Sequence, residues 1–200
     1  MGGAINVDAL GYDGGTSNHA GYGPGGGLDS NTDGAGGGGA HFGNGGLGYA
    51  NKSGGAAYGD ITDVSTIGSG GGGPWYSGRG GHGGGLIILN APEGTVTING
   101  TISADGGDGS GVGHYSNTGG GGAGGAVKIV ADTITSVTTP ESFTVTGGAA
   151  VNDTRDGGGG GGGGVYLEYT TANSIDYTDI DMESGWGAQY GGAGVVYIKD

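Results

Sequence analysis

The sequence predicts an all-β fold: a solenoid, or parallel β-helix-like stack of short strands, with polyglycine segments in a polyproline-II-like conformation and long glycine-rich loops. Three observations predict it. Glycine runs lead into strand-like segments in four places, at Gly83–Leu89, Gly124–Val130, Gly162–Tyr169 and Gly192–Lys199. The strand starts at Leu86, Ala126 and Val165 lie 40 and 39 residues apart, and Val195 follows after 30, which is the self-similarity of repeated units. The apolar segments are short and rich in Val, Ile and Thr, with no helical period.

Taken in order, residues 1–15 read as a partial unit and 16–82 as a glycine-rich insertion. Residues 83–123, 124–161 and 162–191 read as three units, and 192–200 begins the next, all within one domain. Each unit is expected to run as glycine run, strand, turn, second strand, glycine-rich corner and polar loop. The second strands are expected within Thr95–Gly107, Glu141–Ala150 and Asp176–Gly187. Alternation supports the strands. Val127, Ile129 and Ala131 share one parity against Lys128, Val130 and Asp132, and Val165, Leu167 and Tyr169 alternate with Tyr166 and Glu168.

The glycine content, 61 of 200 residues, is about four times the ordinary share of roughly 7%. Ordering glycine costs more backbone entropy than ordering any other residue, so a linker is the first alternative for Gly157–Gly164. That run contains no serine and stands directly before a strand, as the other runs do. Without side chains, extended segments can approach closely enough to satisfy each other's N–H and C=O groups. A glycine wall is therefore expected to derive its stability from backbone pairing.

Nineteen acidic and five basic residues set a net charge of −14, which argues against a nucleic-acid partner or an anionic membrane surface. No apolar run is long enough to span a bilayer, so membrane insertion is not expected. There is no cysteine for disulfides or thiolate metal sites. No secretory signal is read in the first 30 residues, which suggests either a piece of a longer secreted protein or a virus-type protein.

The chemistry-bearing motifs are few. Asp29, Asn31 and Asp33 in "DSNTDG" match the first half of a calcium loop, with oxygen ligands at alternate positions. They are the candidate Ca²⁺ ligands, although Ala40 stands where the closing acid would be and the same residues form ordinary turns. No other cofactor is expected. The four histidines His19, His41, His82 and His114 lie in glycine-rich segments without metal-binding spacing and read as solvated. No Ser-His-Asp order or nucleophile elbow appears, so the chain reads as non-enzymatic. Trp75, Tyr76, Trp186 and Tyr190 offer apolar faces with polar tips, and are the candidate glycan contacts if they do not simply cover glycine walls.

The segments "GGGGAGGAVKIVADTI" (Gly119–Ile134), "GTISADGGDG" (Gly100–Gly109) and "GGGGGGGGVYLEY" (Gly157–Tyr169) resemble units of large glycine-rich secreted or surface proteins of bacteria. The resemblance implies a β-helix-type, adhesin-like structural or adhesive module of an extracellular or cell-surface protein or filament. It implies neighbouring copies or repeats of the same protein as partners, together with cell-surface glycans. The variant unit "FTVTGGAA" and the short acidic "DYTDIDMESG" depart from that pattern. A second resemblance is to the glycine-rich receptor-binding tips of phage tail fibres, in which polyglycine segments bundle and the loops between them bind host receptors. It implies a place on the virion. A further alternative is a polysaccharide-active enzyme on a β-helix.

Overall fold

A computed structural model describes residues 3–31, 34–111, 117–136, 143–150 and 155–200. The chain is all-β with almost no helix, and its two parallel sheets gather at one end of the molecule. Strands β1 (Ala4–Asn6), β4 (Thr101–Ser103), β7 (Phe143–Thr144) and β10 (Ile180–Asp181) form a four-stranded parallel sheet in that order. Strands β3 (Leu86–Ile98), β6 (Ala126–Ser136), β8 (Gly164–Glu168) and β11 (Val195–Lys199) form the spine of a five-stranded parallel sheet, with β9 (Ala172–Asn173) beside the far end of β6. An antiparallel ribbon, β2 (Gly78–Arg79) with β5 (Ser110–Gly111), completes the set. Two 3₁₀ turns, Tyr49–Asn51 and Tyr177–Asp179, are the helical elements among the described residues.

The two parallel sheets pack face to face. Ile102, Phe143 and Ile180 meet Ile87, Val127, Ile129, Val165 and Leu167 in one buried cluster. The alternation that marks these strands in the sequence sends Val127, Ile129 and Ala131 into this core and leaves Lys128, Val130 and Asp132 on the other face. That outer face is covered near the glycine runs by Val64, Phe42 and Ile61, which pack against Ala126 and Tyr166. The turn expected between Asn90 and Thr95 is a bulge within a single strand. Ala91 pairs with Ala131 and Thr95 with Thr133, so three residues oppose one.

Below the sheets the same chain segments continue as glycine runs, and there the expected solenoid or parallel β-helix-like stack gives way to a different arrangement. Among the described residues no closed coil forms; the sheets are open, and the glycine runs bond in directions that a one-dimensional stack does not have. The run 119–125 shows why. Gly119 donates to Ser110 O, Gly120 to Gly72 O and Gly121 to Gly158 O. Gly122 then returns to Gly107 O, Ala123 to Ser69 O, Gly124 to Gly161 O and Gly125 to Ala104 O. Three neighbours are visited in rotation, the signature of an extended helix with three residues per turn. Its carbonyls accept from Gly81, Gly39, Gly148 and Gly84, which belong to three further segments. In a solenoid each unit touches only the units above and below it; this segment has six neighbours.

The change from sheets to bundle is abrupt. Packed sheets stand about 10 Å apart because side chains fill the gap. One turn below the Ile102 and Phe143 layer, Gly125 N–H reaches Ala104 O and Gly163 N–H reaches Val145 O, both at 2.7 Å. The layers have closed to hydrogen-bonding distance because nothing stands between them. Glycine is required here for proximity. Among the described glycines only Gly23, Gly59 and Gly78 have φ in the left-handed region. The stretch 16–82, read as an insertion, supplies further segments of the bundle: Gly36 donates to Thr118 O, Gly39 to Gly121 O and Gly46 to Gly159 O.

The outermost layer, built from residues 7–15, 104–111 and 145–150, has no glycine neighbour on its outer side among the described residues. Aspartates take that place. Asp8 accepts the Asp105 N–H at 2.8 Å, Asp105 accepts the Thr146 N–H at 2.7 Å and the Thr144 hydroxyl at 2.9 Å, and Asp108 accepts the Ala149 N–H at 2.8 Å. The acids of "SADGGDG" thus complete the backbone pairing at the surface. Replacing Asp105 with Ala orphans a half-buried amide and should destabilise the fold by about 1–3 kcal/mol in urea unfolding, with no change of secondary structure by circular dichroism.

Candidate functional site

The turns that join the glycine segments gather at the end opposite the sheets. Each segment delivers its turn to this face because the segments run side by side and are similar in length. The turns brace one another through backbone bonds. Asn18 N–H donates to Pro74 O, Trp75 N–H to Gly34 O, Tyr49 N–H to Asp156 O and Ala188 N–H to Gly157 O. The β2–β5 ribbon and the bridge between Asn117 and Arg155 add to this framework.

The four candidate glycan contacts all lie on this face, in two pairs. Trp75 and Tyr76 are adjacent, with ring centroids 6.3 Å apart, and Tyr76 is 75% exposed. Trp186 and Tyr190 flank the turn that closes on Gly157, and Tyr190 is 70% exposed. Between the pairs lie the ends of the segments beginning at Asn117 and Arg155. Tyr49 stands over this interval with the Arg155 guanidinium 5.4 Å from its ring centroid. The alternative that these aromatics cover glycine walls does not describe Tyr76, Trp186 or Tyr190, which are mostly exposed.

The candidate calcium ligands are not assembled by the described residues. Asp29 is half-buried and Asn31 exposed on the turn beside Gly34, and Asp33 lies outside the described residues. No group of three or more His, Asp or Glu side chains that could hold a metal ion occurs among the described residues.

One histidine departs from the expectation of solvated rings, and His114 lies outside the described residues. His41 is completely buried at the junction of bundle and sheet. Its Nδ1 lies 3.0 Å from Gly124 O and 3.1 Å from Gly125 O, and its Nε2 2.9 Å from the Thr66 hydroxyl. Two carbonyl partners require the proton on Nδ1, so Nε2 accepts from Thr66. Burial lowers its pKa to about 4, against a smaller opposing effect of the two carbonyls. Phe42 and Tyr58 pack on the ring at centroid distances of 4.3 and 5.1 Å. The available signal was position: "AHF" closes a glycine run with side chains, as the runs that lead into strands do. Tyr58 is itself raised to about 12 by burial, donates to Ile67 O and accepts from Ser69. These groups hold the structure together and face no cleft shared with the loop end.

Comparison with protein-family models, curated proteins and solved structures returned no match. No helix among the described residues is long and apolar enough to cross a membrane.

Proposed function

We propose that this chain is a non-enzymatic adhesive module that contacts its target through the loop end of the glycine bundle, as part of an extracellular or cell-surface protein or filament. The observation that carries the reading is the pair of exposed aromatic clusters, Trp75–Tyr76 and Trp186–Tyr190, on turns braced by a backbone-bonded platform. A rigid platform lowers the entropy cost of presenting such contacts, and tryptophan and tyrosine supply apolar faces with polar tips suited to sugar rings.

A second reading, the receptor-binding tip of a phage tail fibre, is favoured by the bundle itself. Glycine segments bonded side by side, with their loops gathered at one end, are what that resemblance implies. The polysaccharide-active enzyme rested on a β-helix scaffold, and that scaffold is not formed.

The test is binding of the labelled protein to bacterial cells and to a panel of neutral and acidic polysaccharides. Wild type should bind. The double variants Trp75→Ala/Tyr76→Ala and Trp186→Ala/Tyr190→Ala should each lose about tenfold or more in affinity while the melting temperature stays unchanged. Wild-type protein that binds no surface, or variants that bind equally well, would count against the loop end as the contact. Bond cleavage in the polysaccharide samples would overturn the non-enzymatic reading.

A further inference from the structure

Both parallel sheets end at the same two sides of the molecule. β1 and β3 form one edge, β10 and β11 the other, and none of the four has a strand partner on its outer side among the described residues. The pairing is in register across each sheet, so side chains form straight rows. On the core side these are Ile5–Ile102–Phe143–Ile180, Ile87–Val127–Val165–Val196 and Leu89–Ile129–Leu167–Ile198. On the outer face the row is Ile88–Lys128–Tyr166–Tyr197, and its last two rings stack at 5.5 Å with 17° between planes.

Each row is apolar at both ends. Ile5 is 44% and Ile88 53% exposed at the first edge, and Ile198 is exposed at the last. The core opens to solvent at the first edge in a cleft of about 280 Å³ lined by Ile5, Leu89, Val96, Ile98 and Ile102. Clefts of about 270 and 280 Å³ open at the last edge, beside Ile180 and Met182 and beside Phe42, Ile61 and Val195. A 13-residue edge strand such as β3, left open beside an apolar cleft, is a template for strand addition.

We propose that copies of this chain associate head to tail, β11 of one copy pairing in parallel with β3 of the next and β10 with β1. A second copy is the occupant because translation continues every row with a matching side chain. Ile5 meets Ile180, Ile87 meets Val196, Leu89 meets Ile198, and Ile88 covers the open face of Tyr197. Among the polar positions, Asn6 falls beside Asp181 and Asn90 beside Lys199, while one rung beyond β1 and β10 Asp8 falls beside Glu183, a like-charge pair that added salt should screen. Pairing about a two-fold axis would run β3 antiparallel to itself and break every row. The contact is therefore heterologous and open-ended, the kind that builds filaments. It uses the sheet edges only and is independent of the loop-end reading.

Sedimentation of the full chain over a concentration series tests this, together with negative-stain microscopy. Mass should grow in whole-copy steps, and filaments should repeat at roughly 19 Å per copy, four strands at about 4.8 Å. Ile88→Lys and Ile198→Lys each block one edge at an exposed position. Each should melt like wild type and weaken association by about tenfold or more. Mixed in equal amounts they should form dimers and nothing longer, since each supplies the edge the other lacks. A monomer at every concentration, a two-fold symmetric dimer, or association that neither variant weakens would overturn the proposal.

Discussion

Replacing Gly160 with alanine should destabilise the protein by about 3–5 kcal/mol, and replacing it with valine should prevent folding. Gly160 lies at the centre of the eight-glycine run Gly157–Gly164. Its N–H donates to Gly148 O at 2.9 Å and its carbonyl accepts from Gly185 at 2.8 Å. An added Cβ would fall on the Gly122 carbonyl, 2.6 Å from its carbon. No side chain can rotate away, because the obstacle is backbone held by its own hydrogen bonds. Relief requires moving the 119–125 segment, which is bonded to six others, so one methyl group breaks or lengthens bonds in several directions. Gly94, in the β3 bulge, is the control. The nearest atom to a Cβ there is that of Ala91 at 3.6 Å, so Gly94→Ala should change stability by no more than about 0.5 kcal/mol. Urea unfolding of both variants decides the matter. If the glycine run were a linker, the two would behave alike.

The contrast between these glycines marks the boundary of what the sequence made legible. The strands were readable because alternation is a local pattern: Val127, Ile129 and Ala131 declare a face within five residues. Leu86 and Ala126, read as strand starts from their place after glycine, pair with each other in register. The partners of the glycines were not readable. Gly120 bonds to Gly72 and Gly121 to Gly158, each 37 or more residues away, and no side chain encodes the direction in which an N–H points. The 40-residue period suggested stacking in one direction. The three-residue rotation within each run, which makes the bundle two-dimensional, leaves no trace in a string of identical residues.

The candidate site divides in the same way. Trp75, Tyr76, Trp186 and Tyr190 could be picked out by residue type, and all four are on the loop face. That they form two pairs on one face follows from chain segments of similar length ending together, a property of the bundle. Asp105 stands in a glycine-rich stretch with nothing local to show its role, and it closes backbone amides at the edge of a layer. His41 was the largest departure: its place in "AHF", closing a glycine run with side chains, marks the end of the run, but no residue beside it shows that the ring meets the Gly124 and Gly125 carbonyls more than 80 residues away.

His41 also sets the protein's response to acid. In the folded state its pKa is lowered to about 4, against 6.5 for an unperturbed ring. Between those values the unfolded chain binds a proton that the folded chain excludes, so stability falls as pH drops through that window. Two and a half pH units correspond to roughly 3 kcal/mol lost between neutral pH and pH 4. Other groups act over neighbouring ranges. Hydroxyl and amide donors hold Asp60, Asp132 and Asp176 below the usual carboxylate range, and Tyr166 and Lys199 do the same for Glu168, so their contributions are lost only as pH falls through that lower range. Burial raises Asp105, whose contribution therefore has the opposite sign and fades as pH rises through its folded value. Acid also relieves the repulsion among the chain's excess negative charges. The His41 contribution is isolated by comparing wild type with His41→Gln, which cannot titrate. The difference between their unfolding free energies should change by roughly 3 kcal/mol between pH 7 and pH 4, with wild type losing more. The imidazole ¹⁵N resonances of His41 should report a neutral, Nδ1-protonated ring at pH 5.5. A protonated ring at that pH, or parallel stability curves for the two proteins, would remove His41 as the acid-sensitive element.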